Sequence, residues 1–116
     1  TSEYPCPADS VNINRMETMQ GWCARVGFSD HTEGPEAAIM AVAMGACMVE
    51  KHFTLDKRMP GPDHWYSCDP AELRILVQSL KKAQAMIGTG ALVPSASELA
   101  NKAKWQRNPG QQLRGR

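Results

Sequence analysis

The sequence predicts an α/β fold of strand–helix units with parallel strands, and three observations carry that expectation. Short strand-like runs alternate with longer runs rich in Ala, Met and Leu. The stretches between successive strand-like runs have the length of helical crossovers, which is how parallel neighbours are joined. His31 in GFSDHT and His52 in VEKHFTLD each end a strand-like run, 21 residues apart, with a helix-like run between them. That is the layout of one parallel βαβ step. An open doubly wound sheet and part of a (β/α)8 barrel both satisfy this order. Three strands alone would leave open edges and a small core. The chain also opens TSEYP without an initiator Met, so the expectation is a fragment of something longer.

Taken in order, Thr1 to Tyr4 reads as the exit of a strand, stopped by Pro5 and Pro7, which lack an N–H. Asp9 or Ser10 is placed to cap a helix running to about Gln20, with Val11, Ile13 and Met16 apolar and Gly21 closing it. Ala24 to Asp30 is the second strand. Glu36 to Met44, between Pro35 and Gly45, is a helix whose small side chains allow close packing on a sheet. Cys47 to Phe53 is the third strand, followed by a loop from Thr54 to Cys68 that contains MPGPDH. Asp69-Pro70-Ala71-Glu72 then combines a capping Asp, a first-turn Pro and a third-position Glu. Leu73, Leu76, Val77, Leu80, Ala83 and Ile87 repeat at helical spacing after it, predicting one buried face. From Gly88 the pattern decays. Lys102, Lys104, Arg107, Arg114 and Arg116 make the remainder basic, and it reads as a linker rather than a phosphate-binding arm.

Bulk properties narrow the function classes. With 116 residues, 42% hydrophobic and 22% charged, the chain is one domain at most. A net charge of +1 gives no global drive toward nucleic acid or membrane. No apolar run approaches the roughly 18 residues that span a bilayer. Cys6, Cys23, Cys47 and Cys68 form no CxxC pair. They suit a reducing cytoplasm, as buried free thiols rather than a zinc site or a disulfide framework.

Strand parity then places the chemistry. Val26 and Phe28 share one face of the second strand, and Gly27, Ser29 and His31 share the other. In the third strand Val49, Lys51 and Phe53 point one way, and Met48, Glu50 and His52 the opposite way. One polar face therefore gathers Ser2, Tyr4, Ser29, His31, Glu50 and His52, at the strand ends where α/β proteins place their sites. Two neutral imidazoles and an acidic neighbour suit a divalent transition metal with open positions, able to polarise a carbonyl. The alternative is that each His is only a hydrogen-bonded strand-end residue. The stiff Pro60-Gly61-Pro62 turn would hold Asp63 and His64 over the same end, or else Asp63 serves a structural turn. Ser2 and Ser29 are candidate donors to a phosphate.

The strings TSEYPCP, DSVNIN, GFSDHT, AVAMGACMVEKHFTLDK and MPGPDH, with the DPAEL helix start, resemble the sialic acid synthase (N-acylneuraminate synthase) family. The resemblance covers Thr1 to about Gly88. It implies the last three βα units of a (β/α)8 TIM barrel over residues 1–88, with residues 89–116 leading toward an absent antifreeze-like domain. It implies a cytoplasmic, homodimeric transferase that condenses phosphoenolpyruvate with an N-acyl hexosamine such as N-acetylmannosamine. The products are a nine-carbon 2-keto sugar acid and phosphate.

On that resemblance His31 and His52 hold manganese, or magnesium or cobalt, and act with Asp63 in catalysis. Ser2, Tyr4, Ser29 and Asp63 contact the substrates. The family's first five strands are absent, with its catalytic glutamate and its phosphoenolpyruvate-binding lysines, so this chain alone is expected to be inactive. Trp65, Tyr66 and Cys68 depart from the family's usual residues between GPDH and the last helix. Related readings are a synthase for legionaminic, pseudaminic or spore-coat precursors, or a non-catalytic metal- or partner-binding fragment.

Overall fold

The computed structural model describes residues 2–105. Thr1 of the expected first strand, and Arg107, Arg114 and Arg116 of the basic tail, lie outside the described residues. After a 3-10 turn at Ala8–Ser10 the elements run α1 (Arg15–Gln20), β1 (Phe28–Asp30), α2 (Glu36–Ala43), β2 (Val49–Lys51), α3 (Pro70–Ile87) and α4 (Ala96–Trp105).

The parallel βαβ step is present. β1 and β2 pair in parallel with Phe28 opposite Val49, Ser29 opposite Glu50 and Asp30 opposite Lys51, and α2 is the crossover. The pairing reaches past the strand ends, since Phe28 N–H donates to the Met48 carbonyl and Cys47 N–H to the Val26 carbonyl. Both strands are shorter than the expected 24–30 and 47–53. Beyond β2 a single parallel bridge joins Phe53 to Cys68.

Ala37, Ala38 and Ala41 of α2 are buried, as small residues on a sheet-facing helix should be. Met16, Val26 and Ala41 form the core cluster, with Ile13, Phe28, Met44 and Ala46 packed around it. The Gln20 side-chain amide donates to the Met44 carbonyl at 2.7 Å, tying the end of α1 to the end of α2.

Several expectations are corrected. Residues 2–4 form no strand. Pro5 and Pro7 lack donors, and Cys6 N–H between them donates to the carbonyl of His31, just past β1, at 2.8 Å. The helix expected from Asp9 or Ser10 to Gln20 is broken, because Asn12 takes a φ of 46° and cannot continue a right-handed helix. Neither Asp9 nor Ser10 caps α1, whose preceding residue is Asn14. Of the four cysteines, Cys6 and Cys68 are buried and Cys23 and Cys47 are exposed.

α3 begins where its sequence signature says. The Asp69 side chain accepts from the N–H groups of Ala71 and Glu72, and the Glu72 side chain accepts from Asp69 N–H, a complete capping box. Its buried face is narrower than the periodicity predicts. Leu76 is buried while Val77 and Ile87 are exposed, because the 18-residue α3 packs on an α2 of only 8 residues. α4 falls in the stretch expected to be a linker. The signal for it is Ser95-Ala96-Ser97-Glu98, in which Glu98 N–H donates to Ser95 Oγ and Ser95 N–H to Glu98 Oε2. That is a second capping box.

One buried ion pair locks the sheet register. Asp30 is fully buried, and Lys51 opposite it donates from Nζ to Asp30 Oδ2 at 2.8 Å, to the Thr32 carbonyl at 2.6 Å and to the Gly34 carbonyl at 3.0 Å. The other Asp30 oxygen accepts from the Thr32 N–H and hydroxyl. Gly34 has a φ of 75°, the left-handed turn that brings its carbonyl round to the ammonium.

Removing one partner of a satisfied buried pair strands the other charge and costs about 3–5 kcal/mol, whereas an apolar pair of similar volume is far better tolerated. Urea unfolding should therefore rank Lys51→Met as more damaging than the double variant Asp30→Leu/Lys51→Met. At the α3 start, the Lys57 ammonium, then the Asp69 N–H, hold the Glu72 carboxyl below its ordinary 4.5. The folded value is lowered, so its stabilisation is present above about pH 4.5 and is lost as pH falls through the folded value. Because Glu72 is partly exposed, we expect Glu72→Gln to lose only about 0.5–1 kcal/mol at neutral pH. Unfolding free energies taken between pH 3 and 7 should show that this variant loses part of the acid-side slope.

Candidate functional site

The register that buries Asp30 and Lys51 on the helix side sends their neighbours the other way. Ser29 and Glu50 face each other on the exposed side, and Ser29 Oγ donates to Glu50 Oε1 at 2.7 Å. Ser29 Oγ also lies 3.1 Å from His31 Nε2. One residue past each strand, His31 and His52 come together with ring centroids 5.5 Å apart and planes nearly perpendicular. Tyr4 stacks on His31 at 4.1 Å and meets His52 edge-on at 5.4 Å. Five of the six residues that parity assigns to this face are thus adjacent. Ser2 is exposed and makes no hydrogen bond among the described residues.

Asp63 arrives by a different route. The loop from Thr54 folds back on the end of β2, with Cys68 N–H donating to the His52 carbonyl and Thr54 N–H to the Cys68 carbonyl, both at 2.9 Å. Within the loop, buried Thr54 places its hydroxyl 2.8 Å from His64 Nδ1. Gly61 has a φ of 148°, and a Cβ there would strike the His64 ring. Ser67 Oγ donates to the Asp63 carbonyl at 2.5 Å. The result sets Asp63 Oδ2 3.9 Å from His52 Nδ1, at ion-pair rather than hydrogen-bond distance. His64 points into this loop scaffold.

Sequence reasoning does not single out Tyr66 as a site residue, and the structure puts it at the centre. Its hydroxyl donates to Asp63 Oδ1 at 2.7 Å and lies 3.5 Å from His52 Nδ1. Its ring meets Tyr4 at 5.5 Å, His52 at 5.3 Å and Trp65 at 5.2 Å. Loss of hydration, then the hydrogen bond to Asp63, push the phenol up to about 12, so it stays protonated and donating at neutral pH. The sequence signal that could have found it is its place three residues after Asp63, the distance at which one turn of chain returns to the same side. Cys68 is a buried packing residue, and burial pushes its thiol up.

The donor set suits a divalent ion in part. Two imidazoles at this separation, with the Glu50 and Asp63 carboxylates beside them, match the N/O preference of manganese-like ions. Among the described residues no group of three or more His, Cys, Asp or Glu closes on one point. His31 and His52 are the residues that could take part in holding such an ion, and further positions would then fall to other groups.

Comparison with known proteins bears on what such a site serves. N,N'-diacetyllegionaminic acid synthase of Legionella pneumophila is 46% identical over 109 residues, covering 93% of this chain and 31% of that protein. The solved N-acetylneuraminic acid (sialic acid) synthetase of Leptospira borgpetersenii superposes with a TM-score of 0.76 at 33% identity, covering 93% of this chain and 39% of that one. The Bacillus subtilis spore coat polysaccharide biosynthesis protein SpsE gives a TM-score of 0.73 at 36% identity, over 85% of this chain and 28% of that one. The α/β fold with parallel strands is the one these structures share with this chain, which spans about a third of the length of such relatives. No helix among the described residues is long and apolar enough to cross a membrane. The NeuB family model matches residues 1–91, most of the sequence, and the chain belongs to the NeuB family.

Proposed function

We propose that this chain carries part of the site of a synthase that condenses phosphoenolpyruvate with an N-acyl hexosamine, giving a nine-carbon 2-keto sugar acid and phosphate. The observation that supports it most is the pairing of His31 and His52 across one parallel step, beside Asp63, in a member of the NeuB family. In this reading the chain contributes βα units of a (β/α)8 barrel in a cytoplasmic homodimer.

His31 and His52 would hold the divalent ion, manganese or else magnesium or cobalt. When bound, such an ion acts as a Lewis acid toward the aldehyde oxygen of the open-chain sugar. The remaining work falls to the chain's own groups. Asp63, held from one side by the Tyr66 hydroxyl, presents a carboxylate that accepts from sugar hydroxyls and fixes the acceptor's orientation. Tyr4 closes the sugar side over His31. Ser2 is the candidate hydroxyl donor toward phosphoenolpyruvate, and Ser29, whose proton is held by Glu50, would have to release that bond to join it. Ser29 also restrains His31, because its hydroxyl links that ring to Glu50.

The acceptor is the finer question. The relative from Legionella pneumophila is named for a product with two acetyl groups on nitrogen. Its 46% identity favours a diacetamido hexosamine over N-acetylmannosamine for this protein. The phosphate contacts supplied by these residues are few, so the 116-residue chain alone should release no phosphate.

In the full-length protein, His31→Ala and His52→Ala should each lower kcat/KM by at least about 100-fold, the scale of losing several kcal/mol of charge stabilisation. The assay is phosphate release from phosphoenolpyruvate that depends on both divalent metal and hexosamine. Unchanged turnover in either variant would sink the metal-site reading. Competition between mono- and diacetamido hexosamines in the same assay should show the diacetamido sugar with the higher kcat/KM. Preference for N-acetylmannosamine would return the assignment to an N-acetylneuraminate synthase.

A further inference from the structure

The Tyr66 hydroxyl has one proton, and the 2.7 Å bond to Asp63 Oδ1 uses it. Toward His52 Nδ1, at 3.5 Å, the same oxygen has only lone pairs to offer. In a neutral imidazole the nitrogen facing it is therefore the donor, so the proton sits on Nδ1 and Nε2 carries the lone pair. Asp63 Oδ2, 3.9 Å from that nitrogen, adds electrostatic attraction of the same sign. The phenol is fixed by rings on three sides, from Tyr4, His52 and Trp65, so its hydroxyl has a defined position.

We propose that Tyr66 is a positioning residue of this site: its hydroxyl couples the Asp63 carboxylate to His52 and holds that imidazole as the Nδ1–H tautomer, with Nε2 presented for a ligand. Metal-binding histidines commonly donate their second N–H to a carboxylate, and loss of such a partner weakens metal binding about 10- to 100-fold. Here a phenol is interposed between the two groups. This deepens the proposed function and rests on its metal-site reading for the consequence, though not for the tautomer itself. Trp65 packs against the ring whose hydroxyl does the coupling.

The test uses the full-length protein with 15N-labelled histidine and no added metal. The His52 ring should give the shifts of an Nδ1–H tautomer at a pH where it is neutral. In Tyr66→Phe, which keeps the ring and removes only the oxygen, the signal should move toward the Nε2–H form or the exchange average. Thermal unfolding checks that the variant stays folded. A tautomer unchanged by Tyr66→Phe, or an Nε2–H signal in the unsubstituted protein, would overturn the proposal. A cobalt titration read by visible absorption then separates the two levels. Failure of the unsubstituted protein to bind cobalt removes the metal reading while leaving the tautomer result standing. If it binds, Tyr66→Phe should weaken affinity by about tenfold, and Asp63→Asn combined with Tyr66→Phe should add little more. Equal affinities, or fully additive losses, would show that the hydroxyl does not work through the Asp63–His52 pair.

Discussion

The buried Asp30–Lys51 pair is the constraint on which the described structure turns. It sits across the sheet register, one residue before each of the two histidines, and every polar atom in it has a partner. A parallel two-stranded ladder of three residues per strand has little intrinsic preference for one register. The ion pair supplies it, because any other alignment leaves a buried charge without its counter-ion. The same ammonium gathers the carbonyls of Thr32 and Gly34, so the turn that follows His31 is closed against β2. Geometry at the imidazoles is thereby inherited from an interaction on the opposite face of the sheet.

Much of this was legible in the sequence, for reasons that can be named. The βαβ step was readable because helix and strand periods differ and because Ala37, Ala38 and Ala41 mark a helix face that must lie close to something. Parity placed Ser29, His31, Glu50 and His52 together because alternation along a strand is a geometric necessity, whereas Tyr4 joins them although residues 2–4 form no strand. The α3 cap was readable because Asp69 and Glu72 satisfy each other's backbone groups locally. What failed were features decided by other forces. The break at Asn12 depends on a single residue entering left-handed space. Strand lengths depend on how far a partner's ladder extends. α4 escaped although its box of Ser95 and Glu98 obeys the rule that located α3.

Tyr66, named in the sequence only as a departure, was missed as a site residue for a deeper reason. Its importance comes from a loop that doubles back through the Phe53–Cys68 bridge, so that residues after the Pro60-Gly61-Pro62 turn return to the strand end they left. No local pattern encodes that return. Thr54, His64 and Ser67, ordinary polar residues in the sequence, hold the loop by bonding inside it. The site thus combines two levels of precision: imidazoles carried on strands, and a carboxylate and phenol carried on a loop braced from within.

The opposition of Asp30–Lys51 and Ser29–Glu50 across one short ladder also bears on how such a sequence can change. Substitutions at Trp65 or Tyr66 touch neither strand, so the loop can drift in chemistry while the frame persists. A single-residue insertion or deletion within 28–30 or 49–51 is another matter. It would rotate one strand by half a repeat, turning Glu50 or Ser29 inward and Lys51 or Asp30 outward. The length of these two strands is therefore constrained by the register as strictly as the identities of Asp30 and Lys51 are by their pairing.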